Sequence, residues 1–218
     1  MPMRQVLAMQ TLAIQAQVPP EHLKITKGTG KLARMCSLNT NTTTNAFCIA
    51  MHNSPDERVI CRKCYSMRML RTYRQNCAEA WQHNSDQLEF ELQDWQLPRL
   101  NELYFRFDSH GELLNETHFL NLLRICEVNP KTTFALYTKR HKLVIRALKK
   151  HSLPDNLILV YSNPFKDRVT GHKPKYFHKV FNTTTAQHRA DNCTGRKCIE
   201  CLNCYDKTKD ATLIELEK

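Results

Sequence analysis

Seven of the chain's ten cysteines fall into two groups with the spacing of metal ligands. Cys48 precedes the pair Cys61 and Cys64, which stand two residues apart and are followed by Tyr65. Cys193, Cys198, Cys201 and Cys204 cluster near the C-terminus, with two-residue gaps from Cys198 onward. A two-residue gap lets two thiolates converge on one ion or cluster. Three ligands leave a coordination position open, whereas four close the shell. The pattern therefore predicts one open and one closed centre. The second group has ferredoxin-like spacing rather than that of a zinc ribbon, whose pairs sit roughly 15–20 residues apart. Zinc remains the competing ion for both groups, and at the first Cys36 would supply the fourth thiolate.

These ligands need a scaffold to hold them, and the pattern of apolar residues predicts one. Residues 1–30 read as a polar lead-in closing at Gly28 and Gly30, and 32–38 as a first strand. The stretch 48–64 reads as a long loop carrying Pro55, and 66–93 as helical, with Met67, Leu70, Cys77 and Trp81 on one face. Beyond Pro98, strands at 102–107, 133–138, 157–162 and 178–183 alternate with helices at 116–127 and 142–150. Strands recurring every ~20–30 residues with helices between them are the mark of βα units and a parallel sheet. Ligands in such folds bind at the carboxyl ends of the strands. Those ends here are Asp108 to Glu112, Tyr137 to Arg140 and Tyr161 to Pro164, all rich in polar side chains.

Composition narrows the class. A chain of 218 residues can bury one good core, alone or with a small metal-stapled appendage. Five glycines and nine prolines exclude a low-complexity chain. A formal charge of +11 is compatible with a nucleic acid or other polyanionic partner, and equally with a solvated lysine surface. No convincing signal peptide or membrane-length apolar run is visible, so a reducing cytoplasm and no membrane partner are expected. Clustered cysteines there mean metal or redox chemistry rather than disulfides.

Other candidates have ordinary readings beside functional ones. Cys77 and Cys126 lie on apolar helix faces and read as core thiols. Asp108, His110 and Glu112 suit acid–base or metal chemistry, or a solvated turn. Lys139 and Arg140 can meet a carboxylate or phosphate, or simply face water. Ser162 and Asn163 can bond a ribose, or serve the turn before Pro164. His172 and His178 fit no helical ligand spacing. Arg68, Arg71 and Arg74 line one helix face, either solvated or touching a polyanion.

Cys48 with the Cys61-x-x-Cys64-Tyr65 hairpin resembles the cluster loop of radical S-adenosylmethionine enzymes, although twelve residues separate Cys48 from Cys61 where that superfamily has three. A longer first gap is tolerable because closure cost grows slowly with loop length. The run Phe105 to Glu112 resembles the superfamily's second strand and its Gly-Glu turn, and 134–139 and 159–162 resemble later strands. From about residue 25 to 205 the ensemble is similar to a phage-borne family known as gene product eighty-eight.

The resemblance implies a partial (β/α) barrel of parallel strands over 31–185, carrying a cluster loop. Residues 186–218 would form a C-terminal cysteine-rich metal-binding segment. It also implies one or two 4Fe-4S clusters, held by Cys48, Cys61 and Cys64 and by Cys193, Cys198, Cys201 and Cys204. S-adenosylmethionine would be the cosubstrate, with Gly111, Glu112, Lys139 and Ser162 seating it. An electron donor would serve as partner, and a bacterial host's cytoplasm as location. The chemistry would belong to the cofactor, while the protein orients the reactants and excludes water. The substrate class stays open among nucleic acid, nucleotide and peptide. Two other readings stand beside it: a zinc-stabilised nucleic-acid-binding protein without catalysis, and an iron–sulfur protein that only carries electrons or holds structure.

Overall fold

The structure, a computed structural model, describes residues 22–185 and 191–217. Strand β1 (Ile25–Lys27) runs antiparallel to β2 (Cys36–Leu38). The remaining strands are β3 (Tyr104–Phe107), β4 (Thr133–Thr138), β5 (Leu157–Ser162), β6 (Lys179–Thr184) and β7 (Thr212–Leu216). From β2 to β7 every neighbouring pair is parallel, and spatial order equals chain order. Three helices, α1 (Ala46–His52), α2 (Tyr65–Thr72) and α3 (Gln75–Leu88), fill the crossover from β2 to β3. Helix α4 (Glu116–Glu127) joins β3 to β4, α5 (His141–Ala147) joins β4 to β5, and α6 (Cys198–Cys201) lies between β6 and β7. The chain is thus α/β with a mostly parallel seven-stranded sheet, and every strand call from β3 to β6 is met within about two residues.

Parallel strands are buried on both faces and so read as apolar runs, as in Leu157 to Val160. Phe105, Phe107, Phe134, Leu136, Leu157 and Leu159 project to one side, where Phe119, Leu122, Leu143 and Val144 of α4 and α5 complete the main core. Phe107 stacks on Phe134 with centroids 4.8 Å apart, a contact worth about 1 kcal/mol beyond the area buried. The alternate residues Ala135, Ile158 and Val160 project to the other side. Met35 and, from the C-terminal segment, Tyr205 and Leu213 cover them there, with Cys198 and Ile199 of the short α6 and Cys204 packed alongside. Buried Lys179 of β6 anchors that segment, donating to the carbonyls of Lys209 and Asp210 at 2.9 and 2.8 Å.

Local structure departs from the sequence reading in four places. The lead-in expected for 1–30 lies outside the described residues as far as 21, and its end forms β1. The first strand shortens to 36–38, because Gly30–Leu32 turns as a 3₁₀ helix and Gly28 packs against Leu32 and Met35 with no room for a Cβ. The stretch 48–64 is not a plain loop. Asn45 accepts from the N–H groups of Phe47 and Cys48 at 3.0 and 3.2 Å, which caps α1, and Ile60–Lys63 forms a 3₁₀ turn. The helix expected over 66–93 breaks at Tyr73 and Arg74. Neither glycine nor proline marks that break. It lets Met69 and Leu70 pack on Trp81 across the bend, with Cys77 and Ala78 filling in.

Candidate functional site

The carboxyl ends of β2 to β5 open onto one cavity of about 380 Å³. Cys48, Cys61 and Cys64 border it from the crossover after β2, and Gly111, Glu112, Lys139 and Ser162 from the strand ends. Cys193, Cys198 and Cys204 border the same space from the C-terminal segment. Cys201 does not, but it joins its three partners around a smaller cavity of about 30 Å³. Ten of the eleven residues singled out from the sequence thus share one space. Among the described residues, no three His, Cys, Asp or Glu side chains form a ready shell for a single ion.

Cys36 belongs elsewhere. It opens β2 opposite Lys27, half-buried against the main core, and the charges that act on it are Glu102 and Lys27 at the amino ends of the strands. The first cysteine group therefore counts three members at the strand ends. Burial pushes the Cys48 and Cys61 thiols up, helped by Glu112 and Cys64 and, at Cys48, by Cys61. Lys139 opposes this. Burial would lower its pKa, but Cys61, Glu112, Cys48 and Cys64 outweigh it and hold the ammonium charged. Its Nζ donates to Ser162 Oγ at 3.2 Å.

Gly111 and Glu112 set the floor of the site. Gly111 has φ +108°, and a Cβ there would meet Thr40 Oγ1 at 2.1 Å, so only glycine fits. The buried Glu112 carboxylate accepts from the Leu113 and Lys139 N–H groups at 2.9 and 2.8 Å and from Thr138 Oγ1 at 2.5 Å. A carboxylate has about four acceptor positions, so roughly one is left for a ligand. Asp108, at φ +45°, accepts from Thr40 Oγ1 at 3.0 Å, while its Oδ2 is buried with no partner. Burial, then Glu112, holds its pKa well above the usual carboxylate range. His110 stacks on Trp81 at 4.7 Å, and its Nδ1 meets Ser66 Oγ at 2.5 Å. Burial, then Arg106, depresses it to about 4, so the ring is neutral at neutral pH.

Two expected neighbours point away. Arg140 donates to the carbonyls of Leu113 and Leu114 and lies over Phe47, so it braces the turn. Asn163 bonds Arg168, Asn182 and Phe165, which is turn chemistry. The structure also adds residues that the sequence reading missed. Tyr137 donates to Cys204 Sγ at 2.6 Å, and the Arg106 guanidinium lies 3.3 Å from the centre of the Tyr137 ring. Lys31 reaches Cys193 Sγ at 3.5 Å and hydrogen-bonds Glu215. Arg106 and Tyr137 were legible in principle, being the polar positions that alternate with buried apolar residues in β3 and β4.

No helix among the described residues is long and apolar enough to cross a membrane. No curated protein and no solved structure matches this chain. A family model described as Gene product 88 matches residues 8–209, nearly the whole length. The chain belongs to the Gene product 88 family.

Proposed function

We propose that this protein is an iron–sulfur protein of the radical S-adenosylmethionine kind, with its sheet read as part of a (β/α) barrel. One observation carries the reading: three cysteines, separated from Cys36 by the length of β2, border the strand-end cavity that the second cysteine group also borders. A three-thiolate cluster held there would supply an electron for reductive cleavage of the sulfonium of S-adenosylmethionine. Cys48, Cys61 and Cys64 would hold it, and the missing fourth thiolate leaves room for a ligand from the cavity. The Lys139 ammonium offsets the thiolate charge and, with Ser162 Oγ, offers donors to a carboxylate or hydroxyl. Glu112 keeps its remaining acceptor position for an amino group, with Gly111 letting the chain pass close to Thr40. Cys193, Cys198, Cys201 and Cys204 would hold a second, closed cluster, fed by an electron donor of the host.

The donor set fits this assignment, since thiolates are the ligands that hold iron–sulfur clusters, and metal binding there must release the protons that burial keeps on Cys48 and Cys61. The test is iron, sulfide and electron paramagnetic resonance on anaerobically purified protein. About eight irons and eight sulfides per chain are expected, as two four-iron clusters require. A reduced signal should shift when S-adenosylmethionine is added. Zinc without iron would overturn the reading.

A further inference from the structure

The crossover that carries the three cysteines also carries a strongly basic stretch of the chain. Residues 58–78 include Arg58, Arg62, Lys63, Arg68, Arg71 and Arg74 and no aspartate or glutamate. Arg58 is taken up by Asp56 at 2.7 Å. Among the described residues, the cations of α2 and the turn before it have no such partner at short range; there Arg62 alone approaches a carboxylate, Glu57 at 3.9 Å, which is almost fully exposed. Arg62, Lys63, Arg68 and Arg71 line a groove of about 460 Å³ with His52 and the buried Met67, and among the described residues no acidic one lines it. Four cations held together with only the exposed Glu57 near one of them repel one another, and an incoming polyanion relieves that repulsion.

Two tyrosines, one at the start of α2 and one just past its end, stand beside the groove and are linked to it through Arg68, which lines it. Tyr65 and Tyr73 are 53% and 58% exposed, and their hydroxyls are joined at 2.8 Å, which holds the two side chains as one raised platform. The Arg68 guanidinium lies 5.9 Å from the Tyr65 ring centre. Exposed rings next to arginines suit a stacked base with its phosphate beside it. Cys64 lines both this groove and the strand-end cavity, so the groove ends at the three-cysteine site. A base in a duplex is stacked and paired and cannot reach such a cavity, whereas a single strand presents its bases one at a time.

We infer that the groove along α2 binds single-stranded nucleic acid, with phosphates on Arg62, Lys63, Arg68 and Arg71 and a base on the Tyr65–Tyr73 platform. The binding stands on the groove alone; its purpose, to deliver a nucleotide to the cavity, rests on the iron–sulfur reading.

Fluorescence anisotropy on the full chain, purified anaerobically, tests this with labelled single-stranded DNA, single-stranded RNA and duplex DNA over a salt series. Tighter binding of a single strand than of duplex is expected, and the two single-stranded arms tell DNA from RNA. The double variant Arg68→Ala/Arg71→Ala, at exposed positions that leave the core intact, should bind at least tenfold more weakly. It should also lower the slope of log K against log salt by about 1.4, for two phosphate contacts on a single strand. Tyr73→Ala should weaken binding about tenfold with the slope unchanged, as lost stacking does. No binding, a preference for duplex, or unchanged affinity in the double variant would overturn the inference. Iron and resonance spectra of the same samples separate the two readings: normal spectra without binding sink the groove alone, and binding by a zinc-only protein sinks the enzyme alone.

Discussion

The two cysteine groups face one cavity from structurally different ground. Cys48, Cys61 and Cys64 sit on connections, at the first turn of α1, in a 3₁₀ turn and at the start of α2. Their surroundings carry one half-buried ammonium, Lys139, and they open outward to a basic groove. The C-terminal group also lies on a connection, between β6 and β7, and is half-buried, but two of its members pack against the core. Cys198 and Cys204 pack into the cluster that covers the second face of the sheet, where Tyr205 and Leu213 are 6% and 2% exposed. Lys31, Arg106 and Tyr137 crowd its sulfurs with donors and positive charge. A site on connections alone can change its occupant without disturbing the core, whereas a site packed against the core shares its stability with the fold.

Cysteine replacement should expose that contrast most strongly. Cys61→Ala and Cys198→Ala are each expected to remove about half of the iron, one cluster of two. The thermal midpoint should fall by about 10 °C or more for Cys198→Ala and by only a few degrees for Cys61→Ala, as a loss of several kcal/mol confined to the core-packed site implies. Scanning calorimetry on both variants checks this, and equal shifts would break the comparison.

Acid should act unevenly as well. His118 is fully buried beside Arg140, and its Nδ1 accepts from the Leu114 N–H at 3.1 Å. Burial, then Arg140, depresses it to about 3. His178, only partly buried, accepts from the Leu159 N–H and is depressed to about 4, by burial and then Lys207. Both depressed values mean that the unfolded chain binds the proton first. Their stability contribution is complete above about pH 6.5, the free histidine value, and is lost as pH falls toward 4 and then 3. Each fully buried histidine costs up to about 1.4 kcal/mol per pH unit in that window. Denaturant midpoints from pH 7 to pH 4 should therefore fall, and His118→Gln should flatten the fall more than His178→Gln.

The smallest effect sharpens the comparison furthest. Tyr137→Phe keeps the ring under Arg106 and removes only the hydrogen bond to Cys204. On the iron–sulfur reading, the second centre's midpoint potential should drop by tens of millivolts, since hydrogen bonds to the sulfurs favour the reduced, more negative state. The first centre's potential should stay put. A redox titration followed by paramagnetic resonance reads both.

Much of the scaffold was legible. Apolar runs of strand length alternating with helical stripes led to β3–β6, α4 and α5, because period and length are local properties. The polar residues Asp108 to Glu112 and Lys139 were recognisable as strand ends for the same reason. Cys126 is fully buried and Cys77 half-buried, in keeping with core thiols. Strand β7 was missed although Leu213 and Ile214 are buried, because the cysteines before it drew the segment into a metal-binding reading. The break between α2 and α3 had no local sign at all, since only the contact of Leu70 with the Trp81 cluster makes it worthwhile.

The sequence by itself determined the α/β class and the grouping of seven cysteines into two sets, since each follows from residue type and near-neighbour spacing. Tertiary structure alone decided that the two groups, some 130 residues apart from Cys64 to Cys193, meet at one cavity. It also decided that Cys36 is left out and that Arg106 and Tyr137 stand beside Cys204. The reason is physical. Spacing along the chain governs which thiols can share a turn, but strand order and register govern which turns share a space. Register also sends alternate residues of one strand to opposite faces of the sheet, so neither outcome is written in any single stretch of the chain.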